Sequence, residues 1–136
     1  MFVAVLRRDR RPNDGAELLS ALQATHPGRV SGSAVDGRFA AAQTLLLTTP
    51  ESRHEKVPAA DPGTGRLLAS WLRLDNRDDL TRDLGWSRSE AEQAADPEIV
   101  LAAYERWGTQ CVELLEGDFA FALWDPDRGA VFAARD

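Results

Sequence analysis

Every position from Phe2 to Leu6 is apolar and charge begins at Arg7, so a buried strand starts almost at the first residue. Pro12, Asn13, Asp14 and Gly15 break it. Leu18, Leu19 and Leu22 then recur at helical spacing, which predicts a helix over Ala16 to Ala24 ending at His26-Pro-Gly28. From Arg29 to Thr49 small and branched residues alternate, with Gly32 and Gly37 as punctuation, and two or three short strands are expected. Pro50 to Thr64 is rich in Pro, Asp and Gly and reads as a loop, and Leu67 to Leu74 as a strand. Helices follow. Asn76 with Asp79, and Ser87 with Glu90, have the spacing of capping boxes. Asp96-Pro97 reads as an N-cap followed by proline at the first helical position, and Ile99, Val100, Ala103, Tyr104 and Trp107 form the apolar face behind it. Gly108 closes that helix, and Val112 to Leu115 is a short turn ending at Gly117.

Phe119-Ala-Phe-Ala-Leu-Trp124 is apolar at both odd and even positions, so this strand is expected to be covered on both faces. Asp125-Pro-Asp-Arg-Gly129 turns the chain into a returning strand, Ala130 to Ala134. A helical middle between strand-rich ends, with a two-sided strand, points to an α+β fold of stacked sheets covered by helices.

The 136 residues are one domain's worth, and 43% hydrophobic content supplies one packed core. Sixteen basic and 22 acidic residues leave a net charge of -6, which argues against nucleic acid as a partner. The cluster Arg7, Arg8, Arg10 and Arg11 reads as a solvated strand end, with an anion site as the alternative. Cys111 is the one cysteine, so an internal disulfide and a thiolate metal cluster are both excluded, and a cytoplasmic location is expected. No apolar run is long enough for a membrane span. His26 and His54 stand in polar contexts and do not make a metal site.

Three segments carry a family resemblance: Asp96-Pro-Glu-Ile-Val-Leu-Ala-Ala-Tyr-Glu-Arg-Trp-Gly108, Leu115-Glu-Gly-Asp-Phe-Ala-Phe-Ala-Leu-Trp-Asp125 and Val131-Phe-Ala-Ala-Arg-Asp136. Together they resemble the N-terminal glutamine amidotransferase domain of the asparagine synthetase family, a class II glutaminase of the N-terminal-nucleophile type. Thr48-Thr-Pro-Glu-Ser52, His54-Glu-Lys56 and Arg73-Leu-Asp-Asn-Arg-Asp-Asp-Leu80 resemble a subgroup further from asparagine synthesis. The resemblance implies a four-layer αββα sandwich over residues 1–136. It also implies that an ATP-dependent synthetase domain follows in the parent protein, because no Ser-Gly-Gly-Leu-Asp-Ser loop occurs here and Asp136 falls where the family's first domain is expected to end.

The resemblance also says which chemistry to look for. The family's nucleophile is a cysteine at position 2, exposed by removal of the initiator methionine, whose own α-amine serves as base. Phe2 stands there, and a bulky second residue is expected to leave Met1 in place. Cys111 reads as a small buried hydrophobe rather than a substitute. The oxyanion hole comes from an Asn-Gly pair, and the shared Asn76 places Trp71 and Leu72 at that pair, followed by Arg73. Indole and leucine are expected to offer no equivalent, with the Trp71 ring filling the substrate pocket. Thr44 falls nearest the arginine that clamps the glutamine carboxylate, and no guanidinium stands near it in sequence. Asp96 matches the aspartate that binds the substrate ammonium, but its helix-cap reading competes with that role.

These replacements predict a glutaminase fold without glutaminase activity. Relatives without the cysteine include lasso-peptide macrolactam cyclases and β-lactam synthetases, which use an amine on the substrate. A lasso-type cyclase is the expected parent, with this domain supporting the synthetase domain in cis or in trans. Its other partner is then a peptide substrate, and ATP and Mg belong to the synthetase domain alone. The alternatives are a stand-alone interaction or regulatory module, and an asparagine synthase homologue acting on another substrate.

Overall fold

A computed structural model of the chain describes residues 1–7, 9, 13–27, 30–45 and 55–136. Strands β1 (Phe2–Leu6), β2 (Val30–Asp36) and β3 (Phe39–Leu45) form one antiparallel sheet in the order β1-β3-β2. Strands β4 (Ala59–Asp61), β5 (Arg66–Leu74), β6 (Gly117–Asp125) and β7 (Ala130–Arg135) form a second, in the order β4-β5-β6-β7, with every pairing antiparallel. Helix α1 (Gly15–Thr25) covers the first sheet. Helices α2 (Arg77–Leu84), α3 (Arg88–Gln93) and α4 (Asp96–Trp107), with a 3-10 segment over Gly108–Leu114, lie on the helix side of the second. The order of layers is helix, sheet, sheet, helix, as the resemblance implies.

The seam between the sheets follows from side-chain size. Ala40, Ala41 and Ala42 of β3 are fully buried, because α1 covers one face of that strand and the second sheet covers the other. Phe39 stacks on Trp124 across the seam, with ring centroids 5.5 Å apart and the rings tilted by 2°. The indole Nε1 of Trp124 donates to Asp36 Oδ2 at 2.6 Å. Gln43 reaches across as well, its Oε1 accepting from the Ser70 amide at 3.0 Å. The helix-side core is aliphatic and aromatic, built on Leu68, Ile99, Val100, Phe121 and Leu123. Strand β6 therefore is apolar at odd and even positions because it serves both cores.

The capping pattern departs from the sequence reading in two places. Ser87 and Glu90 do form the reciprocal pair, Glu90 N–H to Ser87 Oγ and Ser87 N–H to Glu90 Oε2. Asn76, however, makes no side-chain bond to its own helix. Its amide instead ties the segment before β6, donating to Leu114 O and accepting from Glu116 N–H. Asp96 is not an N-cap either. Ala95 holds that position, and its N–H is satisfied by Glu98 Oε2 at 2.9 Å. The expected loop over Pro50 to Thr64 also hides β4, a strand of only three residues. Of the arginine cluster, Arg7 donates to Asn13 Oδ1; Arg8, Arg10 and Arg11 lie outside the described residues. Among the described residues no helix is long and apolar enough to cross a membrane.

Candidate functional site

Along the inner face of β5 the cover thins from one end to the other. Ala69 is fully buried beneath the first sheet, but Trp71, two residues on, is 56% exposed, and Arg73 is exposed too. A cleft of about 930 Å³ opens there, lined by Met1, Thr44, Glu55, Trp71, Arg77 and Asp96 among others. The expectation that Trp71 fills the pocket is therefore overturned: its ring stands at the rim and the space remains.

The backbone of β5 supplies part of the lining. Strand β4 pairs only with Arg66, Leu67 and Leu68, so among the described residues no strand lies beside the edge of β5 beyond Leu68. Two of its amides are met by side chains instead: Ser70 N–H donates to Gln43 Oε1, and Leu74 N–H donates to Asp96 Oδ2 at 2.9 Å. Alternate residues of a strand point their N–H and C=O to the same side. Leu72, midway between, consequently turns its N–H and C=O toward the same open edge, and it lines the cleft. Its side chain packs the other way, against the helix-side core. So leucine does retain a donor here, because the donor is main chain.

Asp96 sits in the first turn of α4 with its carboxylate aimed back at β5. Besides Leu74 N–H it accepts from Arg77 Nη1 at 2.7 Å. Arg77 in turn donates through Nη2 to the carbonyls of Ala91 and Ala94, at 2.9 and 2.8 Å. Arg73 pairs with Asp75 and Asp118 at the mouth of the cleft. Two guanidiniums thus line a cleft in which none was expected from the neighbourhood of Thr44, and Arg77 is already committed. Nothing in the sequence pairs Arg77 with Asp96; only the packing of α2 on α4 does.

Thr44 is buried at the end of β3, and its main chain closes a reciprocal pair with Met1. The Met1 amine donates to Thr44 O, and Thr44 N–H donates to Met1 O, both at 2.9 Å. Met1 therefore occupies the cleft while Phe2 turns into the seam, where it packs against the cluster of Phe39, Ala69 and Trp124. Of the six residues singled out from sequence, Thr44, Trp71, Leu72, Arg73 and Asp96 meet at the cleft and Phe2 does not line it. Burial of the Met1 amine lowers its pKa, partly offset by Glu55.

Glu55 was missed by the sequence reading, since it stands within the Pro50 to Thr64 loop. Burial, and then the charge of Asp96, push its carboxyl up to about 7, against the pull of the Met1 amine. A carboxyl whose folded pKa lies above its unfolded value of 4.5 favours the fold while neutral. Its cost is absent below pH 4.5 and grows as pH rises through 7. Allowing for solvent contact, the full cost is about 1–2 kcal/mol. Urea unfolding at several pH values is expected to show Glu55→Gln more stable than wild type at pH 8 by that amount, and equal to it at pH 4.5. An identical pH profile for the two proteins would contradict this.

Cys111 lies in the 3-10 segment, fully buried, and burial pushes its thiol up to about 11. It is a protonated core residue at neutral pH and no nucleophile. His26 lies at the cleft with its ring beside Thr25 Oγ1; His54 lies outside the described residues. Among the described residues no group of three His, Cys, Asp or Glu side chains could hold a metal ion.

Comparison with known proteins agrees with this architecture. Among solved structures, the glutamine phosphoribosylpyrophosphate amidotransferase from B. subtilis complexed with ADP and GMP superposes with a TM-score of 0.52. It shares 18% identity and covers 75% of this chain and 24% of its own. That likeness concerns the fold, which is of the N-terminal-nucleophile amidotransferase type. Among curated proteins, asparagine synthetase (glutamine-hydrolyzing) 3 of Bacillus subtilis is 43% identical over 63 residues, 46% of this chain and 10% of the relative. Asparagine synthetase B (glutamine-hydrolyzing) of Escherichia coli is 28% identical over 134 residues, 90% of this chain and 23% of the relative. The chain thus spans a quarter or less of the length of these relatives. Residues 46–136 match the family described as a glutamine amidotransferase domain. Because that match runs over more than half of its residues, the chain belongs to the glutamine amidotransferase domain family, and its homologues include asparagine synthetases.

Proposed function

We propose that this domain does not hydrolyse glutamine. In this reading it is retained as a structural support for an asparagine-synthetase-type domain that joins a carboxylate to an amine at the expense of ATP, with Mg. The observation that carries the reading is residue 2. Attack on a carboxamide needs a nucleophile at that place, and a phenyl ring packed between the sheets supplies none. The second requirement, stabilisation of an oxyanion, is half met. Leu72 N–H faces the cleft, but Trp71 replaces the side-chain amide, and loss of one such donor costs a factor of about 100 to 1,000 in rate. The described residues place no thiol in the cleft.

The parent reaction that fits a domain with no ammonia to deliver is one whose amine is already on the substrate. A macrolactam cyclase of the lasso-peptide kind is such an enzyme: ATP adenylates a carboxylate of the peptide and releases pyrophosphate, and an amine of the same peptide then attacks the acyl carbon, displacing AMP and giving up a proton.

Two measurements test this. The purified protein is expected to release glutamate from glutamine no faster than buffer, and so is Phe2→Cys, because Trp71 still leaves the oxyanion without its side-chain donor even where the smaller second residue lets Met1 be removed. Release above buffer that persists in Cys111→Ala would overturn the proposal of inactivity. For the parent reaction, the longer protein incubated with ATP and a linear precursor peptide is expected to give AMP and a peptide lighter by one water. Asparagine formed from aspartate and ammonia instead would overturn the cyclase assignment and leave the inactivity standing.

A further inference from the structure

A second groove, of about 540 Å³, lies away from the cleft, between β4 and helices α3 and α4. Its floor is apolar. Trp86 is half-buried against the core, and Leu101 and Ala102 present one face of α4. Glu98 and Glu105 flank them at positions i and i+7 of the same helix, and Glu90 faces them from α3. Among the described residues no Lys or Arg lines this groove. Glu90 and Glu98 each commit one carboxylate oxygen, Oε2, to a capping bond.

One wall is an open strand edge. Among the described residues, β4 has β5 on one side and no strand on the other. Ser70 and Leu74 turn their N–H away from β6, so in β5 the even-numbered residues face β4. The bonded rungs of the β4–β5 ladder are then Ala59 with Leu68 and Asp61 with Arg66. Ala60, paired with Leu67, turns its N–H and C=O outward, and Ala60 lines the groove.

We propose that this groove receives an extended, basic segment of a partner polypeptide, added as a strand beside β4. The Ala60 rung would bond its backbone, as in other edge-strand recognition. Of the two faces of an added strand, one would lie on α3 and α4. An apolar side chain on that face would seat on Trp86 and Leu101, with a basic side chain two residues to either side. Residues four apart in a strand lie about 13 Å apart, and Glu98 and Glu105 are separated by about 10 Å along the helix, within reach of flexible Arg or Lys heads. The pattern sought is thus basic-x-apolar-x-basic. This site does not depend on the function proposed above.

The test uses a fluorescein-labelled peptide with the core Arg-Thr-Val-Thr-Arg, and its counterpart with Glu in place of Arg, by fluorescence anisotropy. The basic peptide is expected to bind and the acidic one not. Glu105→Lys is expected to weaken binding by about tenfold or more, whereas Glu17→Lys on α1 leaves it unchanged. Ala60→Pro removes only an outward N–H, which an edge strand tolerates, and is expected to weaken binding comparably. Equal binding of the two peptides, or a Glu105→Lys protein that binds as wild type, overturns the proposal. Where Ala60→Pro does not fold, hydrogen exchange in the wild-type protein decides: the Ala60 amide is expected to slow when the peptide is bound, and an unchanged rate overturns strand addition. Peptide-independent self-association that fills the groove would overturn it in favour of a second copy.

Discussion

Gly117→Ala is expected to cost about 3–5 kcal/mol, enough to remove much of the stability of a domain this size. Gly117 opens β6 with a φ of +135°, a conformation that side chains disfavour, and a Cβ there would stand 2.1 Å from the carbonyl oxygen of Arg73. Both obstacles are backbone, so no rotamer change relieves them. Movement of Gly117 would also disturb Leu74, its partner across the ladder, whose N–H is held by Asp96. Urea unfolding followed by circular dichroism measures the loss. Gly85→Ala serves as the control. Gly85 also has a positive φ, +79°, but open space around it, and its loss is expected to stay near 1 kcal/mol. Equal losses at the two glycines would show that the start of β6 can shift to make room.

The second large effect is expected at Asp96. Its alanine variant leaves the Arg77 guanidinium without its 2.7 Å partner and the Leu74 amide without an acceptor, in a setting where Arg77 and Asp96 side chains are only 22% and 16% exposed. The loss is expected to be about 3 kcal/mol. Asp96→Asn keeps an acceptor for Leu74 and is expected to lose about half of that. Had Asp96 been a helix cap, alanine would cost about 1 kcal/mol. A double-mutant cycle with Arg77→Met separates the pair from its surroundings. Zero coupling between the two positions would mean that the ion pair contributes nothing to the fold.

Much of the scaffold can be read directly from the chain. The strands at both ends, α1, the strand ending at Leu74, the Ser87–Glu90 box and the hairpin after Trp124 all follow from local periodicity and turn chemistry, and local signals suffice for them. Strand β4 was invisible because three residues carry no period, and it exists only by pairing with β5. The cap assignments at Asn76 and Asp96 failed for one shared reason. A side-chain oxygen next to a helix start has two kinds of partner available, the helix's own amides or groups brought up by the fold. In both cases the tertiary partner won: Leu114 and Glu116 for Asn76, Leu74 and Arg77 for Asp96. The cleft was half legible. Motif comparison pointed to Trp71, Leu72 and Asp96, all of which line it, but it assigned no role to Glu55 and Arg77, although both lie inside segments that carry the resemblance, nor to Gln43, which lies in none; the fold brings all three to the site or its edge. The filled pocket was a misreading of size as position, since a large ring on the last covered stretch of a strand can swing outward as easily as inward.

The Leu72 amide has a consequence for how such a site decays. Side-chain groups are erased one codon at a time, but a main-chain donor is a property of the strand's path. It survives every substitution at its own position except proline. A lineage can therefore discard the nucleophile and the side-chain amide while the polarised rim of the cleft persists, inherited with the ladder itself. Counting lost motif residues measures how far the chemistry has gone; it overstates how far the cavity has closed to polar ligands.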